Sequence, residues 1–240
     1  MNNYEKLEGM VAATFTPLDE NGDVNLSVID KYADWIASTP IKGVFVCGTT
    51  GEFSSLTIDE RKLILEKWLV SARKRFKVIA HVGSNCQRSA MELARHAAQV
   101  GADAIASIAP SFFKPGTVDE LVDFFAPICH SAAGLPFYYY NMPSITGVNL
   151  PVDKFLVEGK KKIPNLVGTK FTHNNLMEMG VCIELEQHRF EVLHGYDEIL
   201  ISGLAMGAVA GVGSTYNYIP NVYQAIFDSM KMNDLETARH

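Results

Sequence analysis

Lys170 lies in LVGTKFTHNN (166–175), a β-branched and apolar run that reads as a strand and holds no acidic residue. Taking an unpaired ammonium out of water is costly. A lysine placed there must find a partner, carry its charge to a rim, or give up its proton and act as a nucleophilic amine. Side chains two apart in a strand share a face, so Leu166, Gly168, Lys170 and Thr172 point one way and Val167, Thr169 and Phe171 the other. The apolar Val167 and Phe171 suit packing against helices, which sends Lys170 to the opposite face. In PFYYYN (136–141) the same parity puts Tyr138 and Tyr140 on one face and Phe137 and Tyr139 on the other. A phenol at Tyr140, near the strand end, either exchanges protons with an adduct on the lysine or simply fills the interior.

Further chemistry gathers at other strand ends. CGTTGE (47–52) sets the Thr49 and Thr50 hydroxyls and several main-chain N–H groups in a glycine-flanked turn, which suits a small carboxylate or a helix cap. Asp197 and Glu198 in HGYDE (194–198) could accept from ligand hydroxyls, or complement a helix dipole. Ser214 follows Gly213 in GVGSTYN (211–217). His81 and His194 also end strands, with no second histidine or carboxylate at metal-ligand spacing; they read as satisfied core histidines, and no metal site is expected. Cys47 reads as a small strand residue, with no base nearby to activate it.

The elements that must position these groups form one repeated pattern. Eight short apolar runs alternate with longer amphipathic segments: 9–16, 43–48, 77–83, 104–110, 136–141, 166–172, 190–195 and 207–213. In TIDERKLILEKWLVSARKRF, Thr57 and Glu60 form a capping-box pattern, and Leu63, Ile64, Lys67 and Trp68 follow helical spacing. Eight consecutive β/α units predict a single (β/α)8 TIM barrel over residues 1–240. A doubly wound sheet fits less well, because no GxGxxG follows the first strand and no change of pattern marks a second half. In such a barrel the active site lies at the C-terminal ends of the strands, where all these residues fall. The loops after strands seven and eight are also the fold's usual phosphate cup, but the charges of Asp197 and Glu198 would repel a phosphate.

Composition removes several functions. The chain has 240 residues, 48% hydrophobic and 20% charged, with a formal net charge of −6 and basic residues scattered along it, which argues against a nucleic-acid partner. Four separated cysteines without a CxxC pair read as reduced thiols. The polar start MNNYEKLEG shows no signal peptide and no run approaches membrane-spanning length, so the cytoplasm is expected.

GTTGE (48–52), YYYNMPSITG (138–147), GTK (168–170), GYDE (195–198) and GVGSTYN (211–217) together resemble the pyruvate-dependent class I aldolase family of N-acetylneuraminate lyase and dihydrodipicolinate synthase, from residue 9 to the end of the sequence. The resemblance implies that Lys170 forms a Schiff base with a keto acid, without a separate cofactor. It implies that Tyr140 relays protons and that Thr49 and Thr50 bind the carboxylate. The synthases usually carry an arginine two residues after the proline of the YN-x-P motif, and Ile145 stands there. The lyase branch is matched by Gly195, Asp197, Glu198, Gly213 and Ser214 at a polyhydroxy tail and by Thr172 near the reacting carbons. This implies reversible cleavage of N-acetylneuraminate to N-acetylmannosamine and pyruvate. Other expectations to be weighed are a different pyruvate aldolase, a phosphate-binding barrel enzyme, and an inactive barrel with a binding role.

Two departures stand out. Phe112 occupies a position where many members have a tyrosine that crosses a subunit interface, and the sequence stops at ETARH where the family continues with a helical tail, as in a shortened form. Homo-oligomers, commonly tetramers, are implied by the resemblance alone.

Overall fold

The computed structural model describes residues 5–132 and 134–240, so the first four residues of the polar start lie outside it. Eight parallel strands close on themselves in sequence order. They are β1 Gly9–Ala13, β2 Gly43–Val46, β3 Lys77–His81, β4 Ala104–Ile108, β5 Phe137–Asn141, β6 Leu166–Phe171, β7 Glu191–His194 and β8 Ala210–Gly213. All eight runs expected from the sequence form strands, each starting or ending within a few residues of its apolar run. The helices are α1 Val28–Ala37, α2 Ile58–Ala72, α3 Gln87–Val100, α4 Val118–Ser131, a short α5 Pro143–Thr146, α6 Val152–Lys162, α7 Leu176–Glu184, α8 Leu200–Ala205, α9 Pro220–Lys231 and α10 Leu235–Arg239. Pairing of Val11 with Val212 and of Ala12 with Gly213 joins β1 to β8 and completes the TIM barrel.

Strand alternation sorts the apolar residues into two layers. Val11, Phe45, Ile79, Ala106, Tyr138, Leu193 and Val212 fill the barrel, whereas Met10, Val44, Val78, Ile105, Phe137 and Tyr139 pack outward against the helices. At the N-terminal end, Glu191 is buried and accepts from the Leu7 N–H at 2.9 Å and the Tyr138 hydroxyl at 3.0 Å, which closes the barrel floor.

Two local expectations are corrected. Between β5 and β6 the register passes from Phe137 with Leu166 to Tyr138 with Gly168, leaving Val167 as an extra residue. This bulge turns Leu166 to the outer layer and Val167 to the inner one, the reverse of simple alternation, while Lys170 keeps its expected face. In α2 the capping box forms, with the Thr57 side chain accepting from Glu60 N and the Glu60 side chain accepting from Thr57 N. The buried stripe, however, is Arg61, Ile64, Leu65 and Trp68. Leu63 is half exposed, and Lys67 pairs with Asp30 at 2.6 Å.

Candidate active site

Lys170 and Tyr140 are register partners on neighbouring strands, so their side chains enter the barrel together near its C-terminal mouth. Lys170 is only 4% exposed, with its Nζ 4.1 Å from the ring centre of Tyr140 and 4.4 Å from that of Phe45. Among the described residues, no carboxylate and no hydrogen-bond acceptor holds this Nζ; aromatic faces are its partners. The Tyr140 hydroxyl shares a hydrogen bond of 3.1 Å with Thr49 Oγ1 and donates to Met142 Sδ at 3.1 Å. Thus the turn after β2 and the strand β5 meet beside the amine. Thr50 is half-buried on the same turn.

A second group of oxygens lines the mouth over β6 to β8. Among the described residues Thr172 Oγ1 is buried without a partner, and a Cβ at Gly195 would overlap it, so glycine there makes room for the hydroxyl. Asp197 is buried too: its Oδ2 accepts from Thr215 N at 2.9 Å and Thr215 Oγ1 at 2.7 Å, while Oδ1 has no partner among the described residues. A Cβ at Gly213 would overlap this carboxylate. Each glycine therefore serves a side chain on another strand or loop. Unpaired buried acceptors and hydroxyls at a barrel mouth are groups that a polar ligand can satisfy. Ser214 is half-buried and Glu198 is exposed at the rim.

The histidines differ. His81 Nδ1 lies 2.8 Å from the Cys47 carbonyl and its Nε2 accepts from Ile108 N at 3.3 Å, so it is satisfied as expected and neutral, with the proton on Nδ1. Burial and the nearby Arg61 hold its pKa well below the ordinary value. His194 departs from expectation. It is buried beneath Gly203, and no group among the described residues meets hydrogen-bond geometry at either ring nitrogen; burial lowers its pKa, opposed by the Tyr196 backbone and the Asp197 charge. Cys47 is buried in the outer core and its thiol is pushed up to about 11 by burial, which fits an inert strand-end residue.

The Gly48–Glu52 turn, the buried amine and the unpaired oxygens occupy the positions at which the sequence motifs coincide with one family. A model of the dihydrodipicolinate synthetase family matches residues 6–240. The chain belongs to the dihydrodipicolinate synthetase family. Within it, the chain is 43% identical over 237 residues to N-acetylneuraminate lyase of Mus musculus, covering 98% of this chain and 74% of that protein. It is 44% identical over 242 residues to N-acetylneuraminate lyase of Gallus gallus, covering 100% of this chain and 79% of the relative. The solved structure of Proteus mirabilis N-acetylneuraminate lyase superposes with a TM-score of 0.95 at 36% identity, covering 98% of this chain and 79% of that one.

Several site residues of this family member escape the sequence reading. Met142 is two residues beyond Tyr140, so the parity that found Tyr140 also points to it. Thr215 holds Asp197, and Asn217 ties Ser214 to β1 through Nδ2 donation to the carbonyls of Ala13 and Ser214, both at 2.7 Å. The Asn217–Ala13 contact joins opposite ends of the sequence and leaves no local signal.

Proposed function

We propose that this protein catalyses the reversible aldol cleavage of N-acetylneuraminate to N-acetylmannosamine and pyruvate, through a Schiff base on Lys170. The observation that carries this reading is the buried, carboxylate-free amine of Lys170 lying against the ring of Tyr140, whose hydroxyl meets Thr49. The amine attacks the substrate ketone, water leaves, and the resulting iminium draws electrons as the carbon–carbon bond breaks. Tyr140 relays the proton of the substrate hydroxyl: its phenol gives up one proton as it takes another, the enamine carbon receives a proton, and water hydrolyses the resulting imine to pyruvate and the free amine. Thr49 and Thr50, with the N–H groups of their turn, hold the carboxylate. Thr172 sits by the reacting carbons, and Asp197, Glu198 and Ser214, with Gly195 and Gly213 giving them space, receive the polyhydroxy tail. No separate cofactor enters this scheme.

Ile145 separates the lyase from a dihydrodipicolinate synthase reading. It is 61% exposed on α5 and offers no guanidinium for a second substrate carboxylate. The exposed Phe112–Phe113 pair, in edge contact with ring centres 5.0 Å apart, suits an apolar contact between copies in a homotetramer. No helix among the described residues is long and apolar enough to cross a membrane, and we place the reaction in the cytoplasm. Release of pyruvate from N-acetylneuraminate by the purified chain tests the function. Release from other sugar keto acids but not from sialic acid would reassign the branch.

A further inference from the structure

Arg61 is a charged side chain that the scheme above leaves without a role. It projects from the buried face of α2 and is 4% exposed. Its Nη2 donates to the His81 carbonyl at 2.7 Å and its Nη1 to the Gly83 carbonyl at 2.9 Å, both at the C-terminal end of β3. Among the described residues no carboxylate pairs with it, and Nε has no partner at all. Burial lowers its pKa to about 10, still far above neutral, so the guanidinium stays charged. A buried cation without a counter-charge is costly, and its retention calls for a physical reason.

The surroundings supply one. The guanidinium carbon lies 5.4 Å from the ring centre of Phe53, and the same group sits beside the Cys47 thiol. Cys47 and Phe53 bracket the Gly48–Glu52 turn, which carries Thr49 and Thr50. Two residues of this segment that are not glycine, Cys47 and Glu52, have left-handed backbones with φ of 54° and 56°. Such backbones persist only where their surroundings enforce them. Part of that enforcement is a chain of contacts: Arg61 holds the His81 carbonyl, and the neutral His81 ring in turn bonds the Cys47 carbonyl and the Ile108 N–H. Because the His81 ring is neutral, the guanidinium carries the charge within this chain of contacts.

We infer that Arg61 is a positioning residue that acts through the Thr49–Thr50 turn by giving it a buried positive charge, for which the carboxylate of the keto acid is the missing counter-ion. This role rests on the keto-acid reading of the site. It predicts discrimination by ligand charge: pyruvate is an anion, whereas N-acetylmannosamine is neutral and binds elsewhere in the mouth.

The test measures the half-saturating pyruvate in borohydride trapping and the half-saturating N-acetylmannosamine in condensation, for the wild type, Arg61→Gln and Arg61→Lys. Arg61→Gln is expected to raise the pyruvate value by about tenfold or more and to leave the N-acetylmannosamine value within about threefold; Arg61→Lys, which keeps the charge, is expected to hold both within about threefold. The inference is overturned if Arg61→Gln shifts both ligands alike or neither, or if Arg61→Lys weakens pyruvate as much as Arg61→Gln does. Should Arg61→Gln not fold, Arg61→Lys decides alone: a lysine variant that also fails to fold, or loses pyruvate, shows that the forked carbonyl contacts and not the charge are what the site needs. Trapping in the wild type keeps the two levels apart. Its absence removes the Schiff-base reading, whereas its presence with unchanged pyruvate demand in Arg61→Gln removes only the role of Arg61.

Discussion

Lys170 Nζ lies against the rings of Phe45 and Tyr140 rather than against a carboxylate, and this difference is chemical. A cation–π contact contributes about 0.5–2 kcal/mol, so a ketone entering the mouth does not have to break a buried ion pair to reach the nitrogen. Lys170→Ala is expected to abolish turnover and pyruvate trapping while the circular dichroism spectrum stays that of the wild type. Tyr140→Phe is expected to keep trapping but to lower kcat by roughly 10²–10⁴-fold, the range of a lost general acid–base group; single-turnover kinetics beside the trapping yield separate the two. Gly213→Ala would drive a methyl group into the Asp197 carboxylate. It is expected to raise KM for the sugar acid with little change in pyruvate trapping. At this scale the sequence was informative where one strand's own alternation decides the outcome, as for Lys170 and Tyr140. It was silent where contacts come from separate strands, as for Thr172 with Gly195 or Asp197 with Gly213.

Elements set how far that local logic reaches. The bulge at Val167 depends on the register of β6 against β5, which no periodicity within β6 records. Gly168 lies in that irregular stretch, and a Cβ there would overlap the Glu191 carbonyl of β7. Gly168→Ala is therefore expected to cost about 1–3 kcal/mol in urea unfolding, and to lower turnover by moving Lys170 relative to Tyr140. Thr57→Ala, which removes the α2 capping box, is expected to cost about 1 kcal/mol without changing trapping. In α2 itself, the helical spacing of Leu63, Ile64, Lys67 and Trp68 does not say which face is buried, and Arg61 lies on the buried one. A helix face that contains an arginine between apolar residues is ambiguous to pattern alone, because a long side chain can equally reach solvent.

The whole molecule is a closed barrel with Glu191 buried at its N-terminal end and Lys170 buried at its C-terminal end. The order of eight β/α units was legible because each unit carries its own apolar run; the floor was not, since Glu191, Leu7 and Tyr138 meet only on closure. Burial raises the Glu191 carboxyl above its ordinary 4.5, with the Leu7 N–H and Tyr138 hydroxyl partly holding it back. The unfolded chain therefore releases this proton first as pH rises. The contribution of Glu191 is full below about pH 4.5 and is lost as pH climbs through the raised folded-state value. Chemical denaturation across this range is expected to show a decline in the wild type that Glu191→Gln, which cannot ionise, lacks; parallel curves would contradict it. The central claim concerns the other end of the barrel, that Lys170 is the covalent centre of a keto-acid aldolase. Its most direct measurement is mass spectrometry of the folded protein after incubation with pyruvate and borohydride. A single reduced adduct mapped to Lys170 is the expected result; a folded sample with no adduct, or with its adduct on another lysine, would contradict the account.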